Sequence, residues 1–295
     1  AELVAAGVRE AVVCPGSRST PLALALRTAA GLRVRVLYDE RAAGFFALGM
    51  ARTSGRPVAL LATSGTAVVE FGPAVVEASL SRVPLVVLTA DRPAELRDRG
   101  APQAIDQAHL YGRAAKWFTE LPLLDGADAT LAHWRWVAGR AVAVAAEGPA
   151  GPVQVNVPFR EPLLGVAGRL PEGRPDGEPW HLPVTGLPSA DAIALERAVG
   201  HDAARVLVVA GAGCGDAAVL LAAAARLGWP VLADPRSGCR TGDPVVVTTA
   251  DVWLRLPAVA EELRPDLVLR LGEPPASKVV ASWLAACGAR QVALH

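Results

Sequence analysis

The chain has 295 residues, 52% of them hydrophobic, and carries 29 basic and 29 acidic side chains for a formal net charge of zero. That balance argues against a nucleic acid or an anionic membrane surface as its partner, since both are met by an excess of clustered cations. The apolar content is enough to fill more than one core, and the length favours two domains.

Cys14, Cys214, Cys239 and Cys287 are far apart and form no Cys-x-x-Cys pair, so they read as small core residues of a reducing compartment. His109, His133, His181, His201 and His295 are equally scattered, and no metal site is expected from this chain's own ligands. No signal peptide opens the sequence and no apolar run reaches the roughly 20 residues of a membrane span. A cytoplasmic location is the resulting expectation.

Up to about residue 160 one unit repeats: an apolar strand, a turn of small or hydroxyl residues, and a helix. The first copy is a strand at 10–14, the turn Pro15-Gly16-Ser17-Arg18-Ser19-Thr20, and a helix over 21–30 that Thr20 can cap and Pro21 can open. A short buried strand at 32–37 then hands over, through Tyr38-Asp39-Glu40-Arg41, to a packed helix over 42–52 bearing Phe45, Phe46 and Leu48. Asp39 suits an N-cap, and Glu40 suits a first turn where the helix dipole favours a carboxylate. The competing reading makes Glu40 a ligand-facing acid, useful if it is buried enough to hold or give a proton.

Residues 58–62 feed Thr63-Ser64-Gly65-Thr66 and a third helix ending near Ser81. Residues 84–89 feed Ala90-Asp91-Arg92-Pro93 and a long polar segment, and 153–157 form a last strand. This alternation predicts a doubly wound parallel sheet, with ligands held beyond the carboxyl ends of its strands. The first domain is placed at 1–165 and a Gly-, Pro-, Arg- and Glu-rich linker at 166–188. A second α/β domain occupies 189–295, with a helix at 190–199, strands at 205–210, 230–233, 267–271 and 291–294, and an alanine-rich helix ending at Leu227.

Two constellations carry chemistry. Gly211-x-Gly213-x-Gly215, with Asp234 some twenty residues on, approaches a dinucleotide fingerprint, but its third glycine comes one residue early. It leaves open a non-catalytic nucleotide- or effector-binding module, with Arg236 and Arg240 as anion ligands. The other constellation is the set of turns in the first domain. Backbone amides, hydroxyls and a guanidinium at 16–20, a similar nest at 63–66, and Arg92, Arg97, Arg99, Gln103 and Gln107 all gather at one sheet edge. Together they suit a polyanionic small molecule.

The stretches Cys14-Pro-Gly-Ser-Arg-Ser-Thr-Pro-Leu22, Asp39-Glu-Arg-Ala-Ala-Gly-Phe-Phe-Ala-Leu-Gly49, Thr63-Ser-Gly-Thr-Ala67, Leu88-Thr-Ala-Asp-Arg-Pro-Ala-Glu-Leu96 and Gly100-Ala-Pro-Gln-Ala-Ile-Asp-Gln107 closely resemble thiamine-diphosphate enzymes of menaquinone biosynthesis. The resemblance is dense over the first 165 residues and looser beyond. It implies a pyrimidine-binding domain followed by a central Rossmann-like domain. It also implies a transferase that, with thiamine diphosphate and Mg2+, decarboxylates 2-oxoglutarate and adds the succinyl carbanion equivalent to isochorismate, giving 2-succinyl-5-enolpyruvyl-6-hydroxy-3-cyclohexene-1-carboxylate.

By that resemblance Glu40 is catalytic and meets the cofactor's aminopyrimidine, with Thr63, Ser64 and Gly65 also at the cofactor. Ser17, Arg18, Arg92, Gln103 and Lys278 bind substrate, and Pro102 replaces an asparagine common in the family. No segment resembles the family's third, diphosphate- and magnesium-binding domain, so the chain is expected to be inactive alone and to complete its site within a homodimer or homotetramer. An acetolactate synthase or 2-oxoacid decarboxylase is the alternative within the same enzyme class.

Overall fold

The computed structural model describes residues 1–165, 174, 176–181, 197, 199 and 203–294. The chain divides into two compact units, Ala1–Gly186 and Leu187–His295. This division falls within the anticipated linker, most of which lies outside the described residues, as does most of the helix anticipated at 190–199.

The first unit runs α1 (Glu2–Ala5), β1 (Glu10–Val13), α2 (Thr20–Thr28), β2 (Arg33–Val36), α3 (Glu40–Ser54), β3 (Val58–Ala62), α4 (Thr66–Val69), α5 (Gly72–Leu80), β4 (Leu85–Asp91), β5 (Trp117–Glu120), α6 (Asp128–Ala146) and β6 (Pro152–Pro158). Its sheet has the order β2-β1-β3-β4-β6-β5, with every pair parallel. Both faces are covered, which is why the central strands are unbroken apolar runs. Ala59 and Leu61 of β3 join a core with Val137 and Ala141 of α6, whereas Leu60 and Ala62 join one with Ala47 of α3 and Val75 of α5.

Several expectations are corrected. The strand at 32–37 is not buried: β2 is an edge strand and pairs only with β1, so Arg33, Arg35 and Val36 are exposed. On α3 the buried stripe is Ala43, Gly44, Ala47, Leu48 and Ala51, while Phe45 and Phe46 stand outside it, 48% and 42% exposed. The third helix is two helices, because Pro73 lacks the N–H that a continuous helix needs and opens α5 instead. Thr20 does not cap α2: its hydroxyl donates to the Gly16 carbonyl, 3.3 Å away. The long polar segment also contains β5 and the 19-residue α6.

The second unit runs β7 (Val206–Ala210), α7 (Ala217–Leu227), β8 (Val231–Ala233), β9 (Val246–Val247), α8 (Ala250–Trp253), α9 (Pro257–Glu262), β10 (Leu267–Leu271), α10 (Lys278–Ala286) and β11 (Arg290–Leu294). Its strands are also all parallel, in the order β11-β10-β7-β8-β9. Two doubly wound α/β sheets are thus present. Among the described residues no helix is long and apolar enough to cross a membrane.

Candidate active site

In the first unit β1 lies between β2 and β3, so the chain leaves β1 to one side and returns on the other. At such a switch point the turns beyond neighbouring strands part and leave a crevice at their carboxyl ends. The turns after β1, β2, β3 and β4 all lie at that end of the sheet.

Asp39 and Glu40 divide the work of their turn. The Asp39 carboxylate accepts the backbone N–H groups of Arg41 at 2.9 Å and Ala42 at 3.2 Å, which makes it the N-cap of α3. The Arg41 guanidinium donates to Asp39 as well and, together with these amides, holds its carboxyl at about 2. Glu40 occupies the first helical position, half-buried, and makes no hydrogen bond or ion pair with a described residue. The cap leaves it free. Its charge reaches the fully buried Cys14 thiol, which burial first and Glu40 second push up to about 12.

The β3 turn is fixed from beneath. Gly65 has φ of +81°, and a Cβ there would stand 2.9 Å from the Gln103 carbonyl oxygen, so glycine is required both for conformation and for space. Its N–H donates to the buried Gln107 carboxamide at 2.8 Å. The Gln107 amide nitrogen donates in turn to the Ala90 carbonyl at 3.1 Å and to Asn156 Oδ1 at 2.9 Å. Asn156 Nδ2 donates to Asp91 Oδ2 and Glu120 Oε2, both at 2.8 Å. Arg97 closes the cluster on Asp91 and Glu120, at 2.9 and 3.0 Å. Burial outweighs these partners and raises the Asp91 carboxyl above its ordinary value.

Above this network lie two buried arginines. Arg92 donates from Nη1 to Ser64 Oγ and to the Gln103 carbonyl, the latter at 2.8 Å. Arg18 donates to the Phe159 carbonyl at 2.9 Å and meets the exposed Glu161 carboxylate at 3.3 Å, while its buried Nε has no partner among the described residues. Each arginine is 7% exposed. Arg92 is pulled below its usual value by burial first and by the Arg18 charge second, so the two cations feel one another across a poorly solvated space.

The structure therefore brings Arg18, Thr63, Ser64, Gly65, Arg92 and Gln103 to one edge, in part in roles other than those expected. The Ser64 side chain is fully buried on Arg92, and Gln103 uses its backbone carbonyl, leaving its side chain exposed. Ser17 is exposed on the 3-10 turn that carries Arg18. Lys278 opens α10 in the second unit, exposed and with no hydrogen bond or ion pair to a described residue. Sequence reasoning missed Asn156 and Glu161 and took Gln107 for a ligand-side residue. The signal for Asn156 was Gln154 and Asn156 alternating within an otherwise apolar strand, opposite Val87 and Thr89 in the ladder.

The glycine-rich turn after β7 is a packing device. A Cβ on Gly211 would lie within 1.8 Å of the Glu273 carbonyl oxygen, so the turn is pressed against the one after β10. Asp216 caps α7 by accepting the amides of Ala218 at 2.8 Å and Val219 at 3.1 Å, the groups a phosphate would use. Arg236 is paired with Asp234 and Glu273, at 3.0 and 3.2 Å, and Arg240 donates to the carbonyls of Ala233 and Thr248. These pairings favour a structural role for the two arginines over the effector-module reading. Among the described residues, no group of three or more His, Cys, Asp or Glu side chains is placed to hold a metal ion.

Residues 1–110 match the family described as thiamine pyrophosphate enzyme, N-terminal TPP binding domain, and residues 191–292 match the middle domain of the same enzymes. The chain belongs to the thiamine pyrophosphate enzyme family. Within it the chain is similar to 2-succinyl-5-enolpyruvyl-6-hydroxy-3-cyclohexene-1-carboxylate synthases. The relative from Geobacillus kaustophilus is 50% identical over 303 residues, covering 96% of this chain and 50% of the relative. Those from Listeria innocua and Chloroflexus aurantiacus are 45% and 47% identical, covering 96% of this chain and 50% and 49% of themselves. The chain thus spans about half the length of the curated relatives it matches.

Proposed function

We propose that this chain supplies the acid and the carboxylate-binding wall of a 2-succinyl-5-enolpyruvyl-6-hydroxy-3-cyclohexene-1-carboxylate synthase, which joins 2-oxoglutarate, less its carboxyl group, to isochorismate. The observation that carries this reading is the buried Arg18 and Arg92 pair, with its unpartnered Nε, beside a turn whose Glu40 is left free by Asp39. Both substrates carry carboxylates, and a pair of desolvated guanidinium groups binds carboxylate strongly.

The donor set also fits a thiamine diphosphate pyrimidine. Glu40 is the carboxyl group available to meet a ring nitrogen, and Thr63 and Gly65 line the neighbouring turn, with Ser64 behind them holding Arg92. Once bound, the cofactor supplies the nucleophilic carbon that makes decarboxylation of a 2-oxo acid accessible. Glu40 holds a proton at that ring nitrogen. Arg18 exchanges its exposed Glu161 partner for a substrate carboxylate, while Ser17, Gln103 and Lys278 add polar contacts. Mg2+ would offset the charge of the cofactor's diphosphate, and no cluster among the described residues is placed to hold it. The exposed Phe45 and Phe46 on α3 are the surface on which a second copy packs, the whole acting as a homodimer or homotetramer in the cytoplasm.

The test joins this chain to the remaining half of the Geobacillus kaustophilus relative and follows isochorismate-dependent loss of 2-oxoglutarate with thiamine diphosphate and Mg2+. Glu40→Gln is expected to lower kcat by about a hundredfold or more, the scale of a general acid–base contribution. Arg18→Ala and Arg92→Ala are expected to raise KM for the carboxylate substrates. Undiminished turnover by Glu40→Gln, or decarboxylation indifferent to isochorismate, overturns the assignment.

A further inference from the structure

The glycine-rich turn after β7 carries a chemistry that the proposed synthase reaction does not use. Cys214 sits in it between Gly213 and Gly215, and Cys239 sits in the turn after β8. Their Sγ atoms are 3.7 Å apart, and both thiols are turned toward the Ser237 carbonyl, at 3.3 Å from Cys214 and 3.9 Å from Cys239. Cys239 is fully buried, whereas Cys214 is partly open to solvent.

The Cys239 side of the pair is rigid. Ser237 Oγ donates to the Asp234 carbonyl at 2.7 Å and accepts the Cys239 amide at 3.0 Å, so Cys239 is held in place by its own turn. The Cys214 backbone is held as well, since a Cβ on Gly272 would lie 2.8 Å from the Cys214 nitrogen and the Glu273 amide donates to the Ala212 carbonyl at 2.9 Å. The approach of roughly 1.7 Å needed to reach bonding distance is therefore made by rotation of the side chains about their Cα–Cβ bonds, the partly open Cys214 turning onto the buried Cys239.

We propose that Cys214 and Cys239 form a reversible dithiol–disulfide site, closed by a peroxide and reopened by a small dithiol or glutathione. In the closing reaction the Cys214 thiolate attacks one peroxide oxygen and releases water on protonation, giving a sulfenic acid. The Cys239 thiol, losing its proton, attacks that sulfur and displaces the hydroxyl as a second water. Two thiols and one hydrogen peroxide thus give one disulfide and two waters, with two electrons passed to the peroxide. The product ties the turn after β7 to the turn after β8.

Burial first, and Cys239 second, push the Cys214 thiol up to about 11. Little thiolate is present near neutrality, so closure is slow there and accelerates about tenfold per pH unit between pH 7 and 9. Slow closure suits a site that responds to sustained oxidant. The proposal does not depend on the catalytic reading, since it concerns only the second unit.

The test treats the purified 295-residue chain with hydrogen peroxide and counts thiols after denaturation. The four free cysteines are expected to fall to two, with a mass loss of about 2 Da, a cross-linked peptide joining Cys214 to Cys239, and full recovery under dithiothreitol. Cys214→Ser, checked for native circular dichroism, is expected to keep its remaining three thiols under the same treatment, whereas Cys239→Ala, checked likewise, is expected to lose the Cys214 thiol alone, as a sulfenic acid with no partner thiol to close on. Three outcomes overturn the site: four thiols persisting while a control dithiol oxidises, equal thiol loss in the two variants, or Cys214 advancing to sulfinic acid with no bond to Cys239.

Discussion

Replacing Gln107 with leucine asks whether the carboxamide beneath Gly65 is a structural strut. The side chains have similar volume, so no large cavity opens. The loss is one of hydrogen bonding: the Gly65 N–H loses its acceptor and the Ala90 carbonyl loses a donor, whereas Asn156 Oδ1 keeps the Thr89 hydroxyl at 2.8 Å. An orphaned buried amide costs about 1–3 kcal/mol, and with the carbonyl the change comes to about 2–4 kcal/mol. For a unit of this size that is a fall of about 10 °C in Tm. Calorimetry reads the transition of the first unit, and urea titration gives the free energy, with an unchanged m showing that the exposed surface is the same.

Gln107→Glu sharpens the test. Its carboxylate still accepts from Gly65 but faces the oxygens of Ala90 and Asn156, and burial raises the introduced group above its ordinary value of about 4.3. Such a group binds more protons folded than unfolded, so its penalty is small below about pH 4 and grows as pH rises through that value. A cost for Gln107→Leu under about 1 kcal/mol, or a Gln107→Glu penalty that does not change with pH, refutes the strut.

Asp39 has a carboxyl held low, at about 2 against an ordinary 3.8, so its capping contribution is present above pH 3.8 and is lost as pH falls toward 2. Asp39→Asn keeps a cap and is expected to flatten that acid limb, while Asp39→Ala lowers Tm at neutral pH. Gly65→Ala forces a side chain into positive φ against Gln103 and is expected to cost about 2 kcal/mol in urea unfolding; a neutral substitution shows the turn can relax. Phe45→Glu with Phe46→Glu is expected to shift sedimentation of the joined protein toward monomer, and an unaltered distribution removes α3 from the interface.

Much of the fold was legible because the physics is local. Unbroken apolar runs such as 58–62 and 206–210 fit strands covered on both faces, and each ends in a turn of small or hydroxyl residues that starts a helix. The sequence alone also determined that Asp39 caps, since that needs only the next two amides. It could not assign β2 to an edge or break the third helix from its pattern, because burial depends on what lies on the other side. It also could not separate a ligand-facing Gln103 side chain from a working Gln103 carbonyl, or reveal Gln107, Asn156 and Asp91 as one buried network, because those groups meet only after strands distant in the chain have paired. The fate of the turn at 38–41 shows the same limit: the residues gave a cap and an acid side by side, and only the tertiary structure, by spending Asp39 on the helix, left Glu40 free.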